Sequence, residues 1–140
     1  MLAEVNGFIA GHRLIGHGEK VLLAVSGGID SMAMAHMFLH LPYDTGIAHC
    51  NFSLRGNDSD LDEELVRKFS ENNNIPFYTV RFNTQAYADE KGISIQMAAR
   101  ELRYDWFEDI RRENNFDLIA VAHNLNDNVE TMLINLVRGT

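Results

Sequence analysis

Apolar residues fall along this chain in two alternating rhythms, short unbroken runs and longer stretches with a helical repeat. Lys20-Val21-Leu22-Leu23-Ala24-Val25 is a short run ending at Ser-Gly-Gly, as expected of a strand buried in a parallel sheet. Ser31 to Leu41 is apolar nearly all round, through Met32, Met34, Ala35, Met37, Phe38 and Leu39, which predicts a largely buried helix closed by Pro42. Thr45 to Cys50 reads as a second strand. From Asp58 to Asn72 the residues Leu61, Leu65 and Phe69 recur every fourth position, opposite Glu64, Lys68 and Glu71, predicting an amphipathic surface helix. Pro76 to Phe82, rich in aromatic and β-branched residues, predicts a third strand. Ser94 to Glu113 predicts a long helix with Ile95, Ala98, Leu102, Trp106 and Ile110 along one stripe. Phe116 to Ala122 predicts a fourth strand, and Asn124 to Arg138 a final helix on Leu125, Val129, Met132 and Leu136. Strands alternating with helices of these lengths predict an α/β fold, a doubly wound and mostly parallel sheet with right-handed crossovers.

At 140 residues and 46% apolar composition the chain has the means to build one packed domain, and two prolines are too few for a disordered tail. No segment approaches the roughly 18–20 apolar residues of a membrane span. Glu4 and Asn6 interrupt an N-terminus that lacks a basic start, which argues against a secretory signal. Cys50 is the single cysteine and has no internal disulfide partner, which fits a reducing compartment and a cytoplasmic protein. The formal net charge of −8 leaves too few cations for a broad nucleic-acid surface, so any RNA grip is expected to come largely from elsewhere.

The chemistry is concentrated at Ser26-Gly27-Gly28-Ile29-Asp30-Ser31, between the first strand and the first helix. In an open α/β sheet, ligands sit at the carboxyl ends of the strands near a topological switch point, where this loop lies. Gly27 and Gly28 let the backbone turn and approach an anion, the amides at the helix start point toward it, and Ser26 and Ser31 supply hydroxyls. Asp30 beside a polyanion is repulsive unless a cation intervenes, which points to Mg²⁺. A Walker loop needs a Lys before its last Ser or Thr, and a dinucleotide fingerprint needs Gly-x-Gly-x-x-Gly; neither is present. The plainer alternative is a strand-to-helix turn with Asp30 as a helix cap.

Ser26 to Ser31 resembles the pyrophosphate loop (PP-loop) of N-type ATP pyrophosphatases, which form adenylates and share an adenine nucleotide alpha hydrolase-like, Rossmann-like fold. Further segments narrow the resemblance. His49-Cys50-Asn51-Phe52-Ser53-Leu54-Arg55, followed by Ser59-Asp60 and Asp62-Glu63, is similar to the His-x-Asn-His-x-Leu-Arg and Ser-x-x-Asp-x-Glu pattern of the tRNA(Ile)-lysidine synthetase family. Ala99-Arg100-Glu101-Leu102-Arg103-Tyr104 with Phe107 matches Ala-Arg-x-x-Arg-Tyr-x-x-Phe. Ala122-His123 through Asp127, Glu130-Thr131 and Leu136 to Gly139 match Ala-His-His-x-Asp-Asp-Gln-x-Glu-Thr and Leu-x-Arg-Gly. The likeness runs from about Val21 to the last residue. Phe52 stands where His is usual, and Asn124, Asn126 and Asn128 replace His, Asp and Gln, so Asp127 keeps the acid that Asn126 lacks.

The resemblance implies a ligase that joins L-lysine to the wobble cytidine of tRNA(Ile), with ATP and Mg²⁺ as cofactors. It implies ATP binding at Ser26, Gly27, Gly28, Ile29, Asp30 and Ser31, catalytic roles for Asp30, Arg103, His123 and Asp127, and metal binding by Asp30 and Asp127. It also implies tRNA-binding C-terminal domains absent from residues 1–140, with this domain expected to stop short at its C-terminal end. By pattern alone, Arg100 and Arg103 share a helix face, away from the Leu102–Trp106 stripe, that also reads as a solvated cationic surface. His123 also reads as a hydrogen-bonded rim residue, and Asp127 as an acid favouring a helix start. His36 and His40 are spaced i, i+4, but Met37 stands where a zinc protease has its Glu and no third ligand is apparent. Cys50 reads as a small buried residue, and the lack of Cys-x-x-Cys disfavours iron–sulfur and dithiol branches. The competing functions are another PP-loop adenylating enzyme, a tRNA thiolase or amidating synthetase, and a non-catalytic ATP-binding module.

Overall fold

Val21, Leu22, Leu23 and Ala24 are all buried, because the strand they form, β1 (Lys20–Ala24), has a layer of helix on each face. The computed structural model describes residues 15–16, 18–124 and 132–138. Around β1 the sheet adds β2 (Asp44–Asn51), β3 (Phe77–Arg81), β4 (Leu118–Asn124) and β5 (Met132–Arg138) in the order β3-β2-β1-β4-β5. β1 pairs in parallel with β2 and with β4, and β2 in parallel with β3; β4 and β5 are antiparallel. The α/β, mostly parallel architecture expected from the alternating pattern is therefore present.

The helices are α1 (Ile29–Leu39), α2 (Asn57–Asn72), α3 (Thr84–Lys91) and α4 (Ile95–Glu113). One core layer joins Val21 and Leu23 of β1, Val25 just after it and Ile47 of β2 to Met34 and Phe38 of α1 and Val66 and Phe69 of α2. The other joins Leu22, Ala24 and Ala48 to Phe107 of α4 and to Phe116. A side chain at Gly46 would collide with the Phe116 ring, so this β2 position has to be glycine for the second layer to close. The segment carrying α3 has no strong periodicity. It is held by its ends: Asn83 accepts a bond from the Ala86 amide at 3.1 Å, and Gly92 closes it at φ 66°.

Two expectations are corrected and a third holds in part. α2 does not bury its Leu61–Leu65 row; both leucines are exposed, and Val66, Phe69 and Ser70 face the sheet. The inward row begins at Asp62, a polar residue that packs on Gly27, so the contact face lies about 100° from the Leu61–Leu65 row and shares only Phe69 with the expected one. α4 follows its expected stripe in part: Ala98 is buried and Trp106 and Ile110 pack against the second core layer, while Phe107 and Arg111 beside the stripe are also buried. Arg111 is tolerated there because it bonds Glu108 and the Phe116 carbonyl.

The last correction is at the C-terminal end, where a helix over Asn124–Arg138 is expected and Met132–Arg138 is a strand. Ile134 and Leu136 pack against the core while Asn135 and Val137 are exposed, a period of two, and the strand satisfies the outer backbone groups of β4. Leu125, Asn126, Asp127, Val129 and Glu130 lie outside the described residues.

Candidate active site

β1 connects outward to β2 on one side and has β4 on the other, so the crevice at the carboxyl ends of β1 and β4 is the switch point of the sheet. Both strands deliver residues there. Val25 leads into the loop Ser26–Gly28, and β4 ends in Ala122 and His123. A cavity of about 140 Å³ opens between them, lined by Ser26, Ser31, Arg103, Phe107, Ala122 and His123. Arg103 lies four positions before the buried Phe107, one helical turn along the same side of α4, and both line the cavity.

The loop has a built geometry. The Ser31 hydroxyl donates to the Gly28 carbonyl at 3.1 Å and accepts from the amides of Ser26 at 3.1 Å and Gly27 at 3.2 Å. The two hydroxyls of Ser26 and Ser31 are 3.1 Å apart, and the Gly28 amide donates to Ser26 Oγ at 3.2 Å. Both serines thus brace the turn from within. Gly27 sits at φ +97°, and a Cβ there would lie 3.0 Å from that of Asp62, so conformation and space both require glycine. No side chain caps α1 at Gly28. The amides of Ile29, Asp30 and Ser31 have no partner among the described residues, leaving three donors at a helix start.

Asp30 stands in the first turn of α1, half-buried, with no hydrogen bond or ion pair among the described residues. Unlike Arg103 and His123, it is not part of the cavity wall. No group of three or more His, Cys, Asp or Glu among the described residues gathers to hold a metal. One free carboxylate beside a phosphate loop nevertheless fits Mg²⁺, which is often held by one or two carboxylates plus substrate phosphates. Asp127, the other expected metal ligand, lies outside the described residues.

A second cavity of about 240 Å³ adjoins the first and shares Ser26, Cys50 and Phe52 with it. Its wall includes His49, Arg55 and Asp62. His49 is 2% exposed, and its Nδ1 lies 2.8 Å from the Val25 carbonyl, so Nδ1 carries the proton. Nε2 is buried without a hydrogen-bond partner among the described residues. Arg55 pairs with Asp62, the residue that packs on Gly27, which ties α2 to the phosphate loop. Asn51 is also buried; it donates to Asp60 at 3.0 Å and to Glu63 at 3.3 Å while accepting from the Ser53 amide at 3.0 Å. These links fix the turn after β2. Phe52, the departure from the resembled pattern, stacks on Phe82 at 5.9 Å.

Burial pushes the Cys50 thiol up to about 12, only partly opposed by the Arg103 charge. The thiol therefore stays protonated and is no nucleophile. A cavity of about 430 Å³ opens at the other end of the sheet between Lys20, Leu41, Thr45, Asn74 and Phe116, away from the loop. His36 meets Phe69 edge to face at 4.8 Å, which is a packing role. His49, Arg55, Asp62 and Phe107 belong to the resembled segments, but only the fold shows their places around these two cavities. The signal for Asp62 was its place four residues before Val66.

Among the described residues no helix is long and apolar enough to cross a membrane. The NH3-dependent NAD synthetase of Campylobacter jejuni has a similar fold, with a TM-score of 0.67 over 84% of this chain and 53% of that one, at 15% identity. The tRNA(Ile)-lysidine synthase of Parabacteroides distasonis is 45% identical over 140 residues, all of this chain and 32% of the relative. That of Bacteroides thetaiotaomicron is 52% identical over 122 residues, 87% of this chain and 29% of the relative. The chain thus spans about a third of the length of these curated relatives. A family profile described as a PP-loop domain matches residues 5–140, and the chain belongs to the PP-loop domain family.

Proposed function

We propose that the protein is an ATP-dependent ligase that adenylates the wobble cytidine of tRNA(Ile) and replaces the adenylate with L-lysine, giving lysidine. The observation that carries this reading is the convergence of Ser26, Ser31, Arg103 and His123 on one cavity, next to the three unbonded amides of α1. The names of the relatives support the choice of substrate. In the first half-reaction the C2 oxygen of the cytosine attacks the α-phosphorus of ATP and pyrophosphate leaves. In the second the ε-amine of lysine attacks C2 and AMP leaves.

The amides of Ile29, Asp30 and Ser31 hold the pyrophosphate through donors that are already oriented. Arg103, a cation that does not titrate, faces the α-phosphate, where charge accumulates as the bond to pyrophosphate breaks. His123 donates a hydrogen bond to phosphoryl oxygen from the end of β4. Asp30 and Asp127 would hold Mg²⁺, which would supply charge neutralisation and orientation for the phosphates. The reaction belongs in the cytoplasm, with tRNA held mainly by surface beyond this acidic domain.

The test measures AMP and pyrophosphate release by the protein at its natural full length, with ATP, a tRNA(Ile) transcript and lysine. Pyrophosphate release that needs tRNA and AMP release that needs lysine are expected. Release driven by ammonia or sulfide in place of lysine would move the protein to another adenylating branch. No turnover with any of them would leave a nucleotide-binding module.

A further inference from the structure

Most arginines among the described residues of this acidic chain are paired. Among the described residues Arg55, Arg67, Arg81, Arg111, Arg112 and Arg138 each hold a carboxylate, whereas Arg100 and Arg103 hold none. Those two lie against the same ring. The Arg103 guanidinium carbon is 5.0 Å from the centroid of Tyr104, and that of Arg100 is 5.6 Å away. Glu101, an acid on the same turn, is engaged by the Tyr87 hydroxyl at 3.0 Å, which leaves Asp105 as the remaining free carboxylate there. Tyr104 is 41% exposed and its hydroxyl makes no hydrogen bond among the described residues, so neither its ring nor its polar tip is consumed by the fold. Arg103 also belongs to the wall of the cavity that holds Ser26 and His123. The stack therefore runs from the inside of the site to the surface of α4.

One exposed aromatic ring flanked by two guanidinium groups, unpaired among the described residues, recognises a particular chemistry. Its faces take a nucleobase, and its charges take phosphate. A protein surface would supply carboxylates to such arginines, but would gain less from the stacking plane. Paired bases present no free face, so the ligand is single-stranded.

We propose that Arg100, Tyr104 and the outer side of Arg103 form the surface that receives single-stranded RNA next to the reacting base, with an adjacent unpaired base added to the stack and a backbone phosphate on Arg100. This rests on the reading that the protein acts on tRNA and names the part of this domain that meets it. It accounts for how a chain with net charge −8 receives a polyanion: one small patch, left unneutralised, beside the site.

The test uses the natural full-length protein and an unmodified tRNA(Ile) transcript, reading KM for tRNA and for ATP separately. Tyr104→Leu should raise the tRNA KM about 10- to 100-fold, the usual loss for one stacked base, without a matching rise in the ATP KM. Tyr104→Phe should restore it, since the ring and not the hydroxyl is used. Arg100→Gln should flatten the dependence of tRNA affinity on salt by roughly 0.7–0.9 in log–log slope, the signature of one lost phosphate contact. Arg100 is exposed, so this arm stands even where Tyr104→Leu folds poorly. A tRNA-dependent wild type whose tRNA KM and salt slope are unmoved by all three changes would overturn this inference alone. A wild type indifferent to tRNA would overturn the reading beneath it as well.

Discussion

Replacing Gly27 by alanine should unfold the phosphate loop's local geometry and lower the stability of the domain. Two separate terms contribute. At φ +97° an L side chain is strained, by about 1–2 kcal/mol in the left-handed region. The new Cβ would also stand 3.0 Å from the Asp62 Cβ and 3.4 Å from its Cα, and the Cα belongs to the backbone of α2 and cannot rotate away. Overpacking of this kind costs about 1–3 kcal/mol, so the sum is roughly 2–5 kcal/mol. At about 3–4 °C per kcal/mol for a domain of this size, the midpoint of thermal unfolding should fall by roughly 6–20 °C. Circular dichroism melts of wild type and Gly27→Ala, without nucleotide, measure it. A second arm separates the terms. Asp62→Gly in the Gly27→Ala background should recover the steric part, judged against Asp62→Gly alone, whereas Asp62→Ala should recover little because it keeps the Cβ. A Gly27→Ala melt within about 0.5 kcal/mol of wild type would refute the account of the loop.

Asp30→Asn should weaken ATP binding in a titration with Mg²⁺ while leaving the melt unchanged, since Asp30 makes no bond within the described fold; equal affinity for both proteins across the magnesium series would remove its metal role. Cys50, held near 12 by burial, should react with iodoacetamide more slowly than a free thiol at pH 7–9, and a fast reaction at pH 7 would show that the site is wetter than described. Glu19 is held down to about 2 from 4.5, first by its bond from Arg138 and then by the Gly16 amide. A depressed carboxyl stabilises above its unfolded value and loses that contribution as pH falls through its folded value, so the stability gap between wild type and Glu19→Gln should be complete above about pH 4.5 and vanish toward pH 2. A gap that does not change across that range, measured by denaturant melts, would mean that Glu19 and Arg138 do not pair in solution.

The local pattern determined much of this protein. Val21–Val25 is so uniformly apolar that only a strand covered on both faces satisfies it, and the Ser26–Ser31 loop follows at the place where such a strand meets a helix. β2, β3 and β4 were equally legible, because each is a short run of residues suited to a pleated, buried surface. Arg103 and His123 were legible as candidates from their segments, though not their meeting at one cavity.

What the tertiary structure decided is orientation and partnership. α2 faces the sheet through Val66 and Phe69, leaving Leu61 and Leu65 outside, because Asp62 has to fit beside a glycine in the phosphate loop. α4 buries Phe107 against the second core layer, and Arg103, one turn earlier, lines the same cavity. Met132–Arg138 takes the two-residue period over the helical one because the edge of β4 offers a full set of backbone partners. The one-dimensional pattern reports how many apolar faces a segment has. Which neighbour each face meets depends on residues far away in sequence, and here that choice made the site.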